Sequence, residues 1–212
     1  MKYTITTAAL AALALSGCMT LTEAEKGLKN QERLEQMVNR ARNLPRTTEQ
    51  PPAGTSATYH GLAGLAIYNQ PAADETALFM VGDMEMTATF AEDGNTISGS
   101  VSDLFGGITN EVYGDGIYPT PFGADATGAT GALILAGTID DMWIDGTVDG
   151  SITHRDTTYD IAGDIKGTFS GADGTPGTPH VRFYEDQNGT HVTATTETET
   201  YEATTLGAGI KQ

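Results

Sequence analysis

The sequence predicts an all-β protein: a small antiparallel barrel of eight or nine strands, preceded by one N-terminal helix. From Ala57 onward, apolar residues recur at every second position. Glycine alternates with bulky apolar residues on the side expected to be buried, and turn dipeptides separate the runs. Before residue 57 the apolar residues follow a helical spacing instead. We therefore expect one β-barrel domain over residues 57–212.

The N-terminus has the features of a targeting segment. Lys2 supplies a positive start, and the apolar run from Ile5 to Leu15 has the length of a signal-peptide core but is too short to span a bilayer. Small residues then lead to Cys18, the only cysteine in the chain. This arrangement resembles a bacterial lipoprotein signal, which is cut before the cysteine. The resemblance implies Cys18 as the lipid carrier, with Met19 in place of the acidic residue that retains such proteins in the inner membrane; an ordinary secretory peptide is the alternative.

A helix is expected between this anchor and the barrel. Thr22 and Glu25 form a capping-box pattern, and residues 23–43 contain no proline and only one glycine, Gly27. Its apolar stripe is thin, which favours a stalk between anchor and barrel. The alternative is that the stripe docks on the barrel or pairs with another copy of the chain. A segment rich in Pro, Thr and Gly follows and reads as a linker. The predicted units are a signal peptide at 1–17, the lipidated N-terminus and stalk helix at 18–43, a linker at 44–56, and the barrel at 57–212.

Three runs show the strand periodicity most clearly: Ala77–Phe90, Ile144–Ile152 and Tyr159–Phe169. In each, one parity is apolar or glycine and the other is acidic or hydroxylic, as in strands with one buried face. Asp93-Gly94, Asp173-Gly174 and Asn188-Gly189 are hairpin-type dipeptides. The inward glycines suggest tight coiling, which a small closed barrel needs more than its rival, a β-sandwich.

Charge is divided unevenly along the chain. Residues 1–50 carry seven of the 11 basic and five of the 28 acidic residues, which leaves four bases against 23 acids in the remainder. A body this negative repels the phosphates of nucleic acid, so we expect no nucleic-acid partner. It fits a basic partner, and it is also an ordinary means of staying soluble.

Four glycine-based stretches resemble the barrel domain of the transferrin-binding protein B family of Gram-negative surface lipoproteins, to which the barrel of factor H-binding protein is also similar. They are Tyr59–Ala66, Asn95–Gly106, Ile161–Asp173 and Leu206–Gln212. The family's aromatic glycine motif reads Gly-Thr-Phe-Ser-Gly here, and there is room for one barrel only, without the handle domain that large members use to grip a host protein. The resemblance implies a membrane-tethered barrel that binds a ligand through loops, but does not support transferrin as that ligand.

No residue pattern indicates catalysis. The four histidines are scattered, and nucleophile-elbow, zinc-protease and phosphate-loop motifs are missing from the sequence. His154-Arg155-Asp156 is expected to form a solvated turn. Asp140, Asp141, Asp145 and Asp149 lack the ligand spacing of a calcium loop, which favours solvation. We expect a non-enzyme with no metal and no cofactor beyond the lipid on Cys18.

The candidate ligand-binding residues are aromatic. Gly106–Gly128 forms a long stretch without periodicity that carries Tyr113, Tyr118 and Phe122 among Gly and Pro, and such loops often hold contact anchors. The alternative is that these rings plug the barrel end. Trp143 is the other candidate, because the parity that buries Ile144 places it outside; the alternative is that it packs under a neighbouring loop.

Two functional hypotheses follow. The first is an outer-membrane lipoprotein, displayed at the cell surface, whose barrel binds a protein or a small nutrient ligand. The second is a structural or accessory envelope lipoprotein that faces the periplasm and uses the helix as its working part. The first requires the aromatic residues, and the second requires the helix.

Overall fold

The computed structural model describes residues 23–47, 50–68, 77–109, 126–171, 180–184 and 192–211. It shows one helix followed by nine strands. The elements are α1 (Glu23–Asn43), β1 (Thr55–Tyr68), β2 (Ala77–Phe90), β3 (Asn95–Thr109), β4 (Thr127–Asp140), β5 (Trp143–His154), β6 (Thr157–Ser170), β7 (His180–Tyr184), β8 (Val192–Thr195) and β9 (Thr200–Lys211).

The strands form a closed antiparallel barrel with eight positions. β1 to β6 follow one another around the sheet, and β9 pairs with β1 to close it. The short strands β7 and β8 share the one position between β6 and β9, since each of them pairs with both. The predicted all-β barrel with an N-terminal helix is thus confirmed, and the sandwich alternative is wrong.

The antiparallel order gives the barrel two ends. One, here called the Trp143 end, carries Trp143 and the short turns at 91–94 and 141–142. The other, the Thr109 end, carries the C-terminal end of β3 at Thr109, the start of β4 at Thr127 and the turn at 155–156. A strand of 14 residues, tilted as in small barrels, spans roughly 35 Å along the axis.

The barrel interior is a continuous apolar core. Most predicted inward positions of β2, β5 and β6 are buried, including Met80, Val148 and Phe169, and the other three, Gly150, Tyr159 and Gly163, are partly buried. Tyr59 and Phe169 pack with ring centroids 5.6 Å apart. The predicted alternation along these three strands is therefore confirmed.

Glycine is required where the strands bend sharply toward their neighbours. A Cβ added at Gly137 would lie 2.5 Å from the carbonyl oxygen of Asp145, and one added at Gly106 would lie 1.9 Å from that of Phe79. Both distances are too short for any side chain. The glycines allow the tight coiling that closes a small barrel, as the sequence predicted.

Two boundaries differ from those predicted from the sequence: the start of β1 and the extent of the loop between β3 and β4. β1 begins at Thr55, two residues before the predicted start, because the exposed pair Thr55 and Ser56 extends the ladder with β2 without adding to the apolar pattern. The predicted loop at 106–128 is shorter, since β3 runs on to Thr109 and β4 begins at Thr127. Glycines at 106, 107 and 128 suggested a loop but lie in strands.

The helix has the predicted bounds and lies against the outside of the barrel. Leu34 is only 3% exposed and packs with Leu62, Phe79 and Phe105 on the outer face of β1 to β3. Gly27 lets the helix approach closely, since a Cβ there would lie 2.1 Å from the Phe105 ring. Of the alternatives, the structure shows docking on the barrel and not a free stalk.

The predicted linker is held against the barrel at its start. The amide of Thr47 donates to the carbonyl of Phe169 at 3.2 Å, and the amide of Gly171 donates to the carbonyl of Pro45 at 3.2 Å. Just before it, the Ser170 hydroxyl donates to the carbonyl of Ala41 at 3.1 Å. These bonds fix the C-terminal end of α1 at the Trp143 end.

Candidate functional site

Several predicted site residues lie outside the described residues. These are Cys18, Tyr113, Tyr118 and Phe122. The described strand ends on either side of the aromatic segment are Thr109 and Thr127, both at the Thr109 end of the barrel.

Trp143 lies on the outer face of the barrel, as the parity predicts. It is the first residue of β5 and is 46% exposed, whereas the adjacent Ile144 and Met142 are buried. Asp141 and Met142 form the preceding turn with positive φ angles of 45° and 64°. Positive φ angles at both positions are typical of a two-residue hairpin turn. In this turn the Met142 side chain points into the core, and the Trp143 side chain lies on the outer face.

A cation covers the exposed ring. The guanidinium carbon of Arg46 lies 4.6 Å from the centre of the Trp143 ring. The backbone bonds of Pro45 and Thr47 to the end of β6 bring Arg46 to this position. A cation–π contact at an exposed site contributes about 0.5–1 kcal/mol. Sequence reasoning missed Arg46, because nothing in a linker residue indicates a partner so distant in the chain.

The surface beside Trp143 is acidic and polar. The outer face of β4 to β6 carries Asp140, Asp145, Asp149, Asp160 and Asp164. Lys166 Nζ lies 2.7 Å from Asp145 Oδ1, across the β5–β6 pair. Ile134, 54% exposed, adds apolar area to this face. We call this the β4–β6 face. A protein partner that presents basic side chains would be complementary to it.

The described residues contain no group of three His, Cys, Asp or Glu side chains placed to hold a metal ion. The four aspartates considered from the sequence are spread along the β4–β5 hairpin. Asp145 faces Thr138 on β4, and Asp149 faces Ile134.

The barrel interior leaves little room for a ligand. Within the described part of the chain, a cavity among the core side chains has a volume of about 10 Å³, which is room for roughly one water. Its walls are apolar side chains such as Leu65, Met84 and Val148. This cavity is too small for a ligand larger than a water molecule.

Trp143 lies at the end of the barrel opposite the described strand ends that bound residues 110–125. The strands that bound residues 110–125 end at the Thr109 end, whereas Trp143 and Arg46 lie at the opposite end. Along β5 the two ends are roughly 30 Å apart. Trp143 is thus at one end of the barrel, whereas the strand ends next to the segment that contains Tyr113, Tyr118 and Phe122 are at the other.

His154 is not solvated, so this part of the predicted turn is wrong. It is the buried last residue of β5, and its Nε2 lies 3.3 Å from the carbonyl oxygen of Gly106 across the Thr109 end. Only Arg155 and Asp156 form the turn. The parity of β5 turns His154 inward together with Ile152.

His180 is also buried, but at the other end. It is 6% exposed, and neither ring nitrogen has a hydrogen-bond partner among the described residues. It begins β7 on the side covered by the C-terminal part of α1. Burial, and then the positive charge of Arg40, lower the pKa of His180. It is therefore neutral at pH 7 and packs as a structural side chain.

Comparison of the chain with protein-family models, with curated proteins and with solved structures finds no match. Among the described residues, no helix combines the length and the apolar character needed to cross a membrane.

Proposed function

We propose that this protein is a lipoprotein, anchored to the outer membrane through Cys18, whose barrel is a non-catalytic module that binds a protein partner on its outer surface. The observation that carries the proposal is the packed interior: the described core is a continuous cluster of buried apolar side chains, and the cavity among them has room for about one water. This cavity is far smaller than those that bury a small ligand, which favours a protein bound on the outer surface over a small nutrient bound by the loops.

The exposed surface supports the same proposal. Trp143 with Arg46 and the half-exposed Ile134 provide apolar and aromatic contact area within the acidic β4–β6 face. Tryptophan and arginine are enriched among residues that dominate binding energy at interfaces. The short-motif resemblance to the transferrin-binding protein B family is consistent with a tethered binding barrel.

Site-specific photo-crosslinking in cells tests the binding module. A benzophenone amino acid is placed at Trp143, at Ile134 or at Thr147 on the β4–β6 face, and as a control at Glu85, which is exposed on the outer face of β2. We expect one discrete crosslinked protein from the β4–β6 positions and none from Glu85. Without a discrete product from any β4–β6 position, the binding proposal fails.

Anchoring is tested separately. Wild-type protein should incorporate labelled palmitate and enter the detergent phase, whereas Cys18→Ser should do neither. Because Cys18 is the only cysteine, a variant that still incorporates the label would exclude thiol acylation.

The alternative is a periplasm-facing accessory lipoprotein that works through its helix. The docking of α1 disfavours this alternative, because Leu34 and Ala41 of the apolar stripe are buried and so not available to a partner. Protease treatment of intact cells, with a periplasmic protein as integrity control, distinguishes the two. Digestion of the barrel supports surface display, and protection until lysis supports the alternative.

A further inference from the structure

The docked helix gives the barrel a fixed direction relative to its N-terminal anchor. The C-terminal part of α1 is held at the Trp143 end, where Ala41 accepts a hydrogen bond from Ser170. Leu34 packs against Gly64 and Phe79, at a point four residues before the end of β1. Gly27 rests on Phe105, four residues before the end of β3. The helix therefore crosses the outer face obliquely, and its N-terminus points toward the Thr109 end.

The chain between Cys18 and this N-terminus is short. Five residue steps separate Cys18 from Glu23, the first residue of α1. Even a fully extended chain covers at most about 18 Å in five steps. A lipid on Cys18 must enter the bilayer within that reach, which is about half the length of the barrel.

We propose that the anchored barrel stands with its Thr109 end against the lipid surface and its Trp143 end facing away. The inference rests on the proposed anchoring at Cys18. An exposed apolar side chain at the Thr109 end supports this orientation. Ile108 is 47% exposed there, whereas its cross-strand partner Leu78 is buried. Isolated apolar side chains at a membrane interface gain from contact with the headgroup–acyl boundary.

This orientation determines which candidate surface a partner can reach. Trp143, Arg46 and the acidic turns at 91–94 and 141–142 are presented to the surroundings. The described strand ends at Thr109 and Thr127, which bound residues 110–125, lie beside the membrane in this orientation. A protein partner approaching from solvent meets Trp143 first, so we infer the Trp143 end to be the partner-binding end.

Energy transfer from tryptophan to a headgroup-labelled lipid tests the orientation. Trp143 is the only tryptophan and reports on one end without mutation. The variant Trp143→Phe with Ile108→Trp reports on the other end, and Trp143→Phe with Tyr201→Trp gives a second reporter there, in case Ile108→Trp disturbs folding. The lipidated full chain is placed in phosphatidylethanolamine–phosphatidylglycerol vesicles that contain dansyl-phosphatidylethanolamine.

We expect several-fold more efficient transfer from the reporters introduced by Ile108→Trp and Tyr201→Trp than from the native Trp143. Equal transfer from both ends, or stronger transfer from Trp143, would overturn the orientation. Leu34→Ala, which loosens the helix, should reduce the difference between the ends.

Vesicle flotation separates the failure of this inference from that of the anchor. Wild-type protein should float with the vesicles and Cys18→Ser should not. A wild-type protein that does not float overturns the anchor and the orientation together. Flotation without the expected difference in transfer overturns the orientation alone.

Discussion

Replacing Leu34 by Ala should undock α1 from the barrel while leaving the barrel folded. Leu34 is 3% exposed and is the most deeply buried large side chain of the helix. Buried Leu→Ala changes cost about 2–5 kcal/mol. We expect about 2–3 kcal/mol here, because a helix on an outer surface can shift to fill part of the space. At 1.4 kcal/mol per tenfold change, the opening equilibrium of the helix increases by about 30- to 140-fold.

Amide hydrogen exchange measures this opening residue by residue. The amides of α1 should exchange about 30 to 140 times faster in Leu34→Ala than in the wild type, whereas the strands of the barrel should keep their rates. Glu35→Ala, at the exposed neighbouring position, is the matched control and should change neither. Unchanged helix rates in Leu34→Ala would refute the docking interface. Equal acceleration in helix and strands would show that the two open as one unit.

Three further predictions concern the barrel. Gly137→Val should lower the free energy of unfolding by about 1–3 kcal/mol in urea titration, because its Cβ would meet a carbonyl oxygen of the neighbouring strand at 2.5 Å. Gly207→Ala, where the nearest contact of an added Cβ is 3.3 Å, should lower it less. Equal losses in the two variants would contradict this steric explanation. Because the pKa of His180 is lowered in the folded protein, the unfolded chain takes up a proton first as the pH falls. The free energy of unfolding therefore keeps its full value with respect to His180 above pH 6.5. It decreases by at most about 1.4 kcal/mol per pH unit as the pH drops from 6.5 to the lowered pKa. His180→Phe should flatten that part of the pH profile, and a slope unchanged by the substitution would assign it to other groups. Arg46→Ala should increase acrylamide quenching of Trp143 fluorescence and lower stability by no more than about 1 kcal/mol; unchanged quenching would mean that the two side chains do not stack in solution.

Elements with a strong local pattern were predicted correctly. The alternation in β2, β5 and β6 identified their inward faces, and the outward position of Trp143 followed from the same parity. The bounds of α1 followed from its cap and from the missing prolines. These features depend on neighbours a few residues apart, so the chain encodes them locally.

Some strand positions were misread because glycine has two uses. Gly106 and Gly128 suggested a loop, yet they lie in strands, where glycine lets adjacent backbones approach. Conversely, a bulge between Val101 and Phe105, with Asp103 at a φ of 51°, shifts the parity of β3. This shift turns Leu104 into the core and places Phe105 on the outer face beneath α1. Residue types alone do not indicate such a shift.

The sequence by itself determined that the chain forms a small antiparallel barrel behind one helix, with an acidic exterior and an outward-facing tryptophan. Only the tertiary structure decided that the helix docks, that Arg46 covers Trp143, that His154 and His180 are buried, and that Trp143 lies at the end opposite Thr109. The physical reason is the range of the interactions. Periodicity and turn preference act between residues close in the chain, whereas barrel closure and helix docking join residues that only the complete fold brings together.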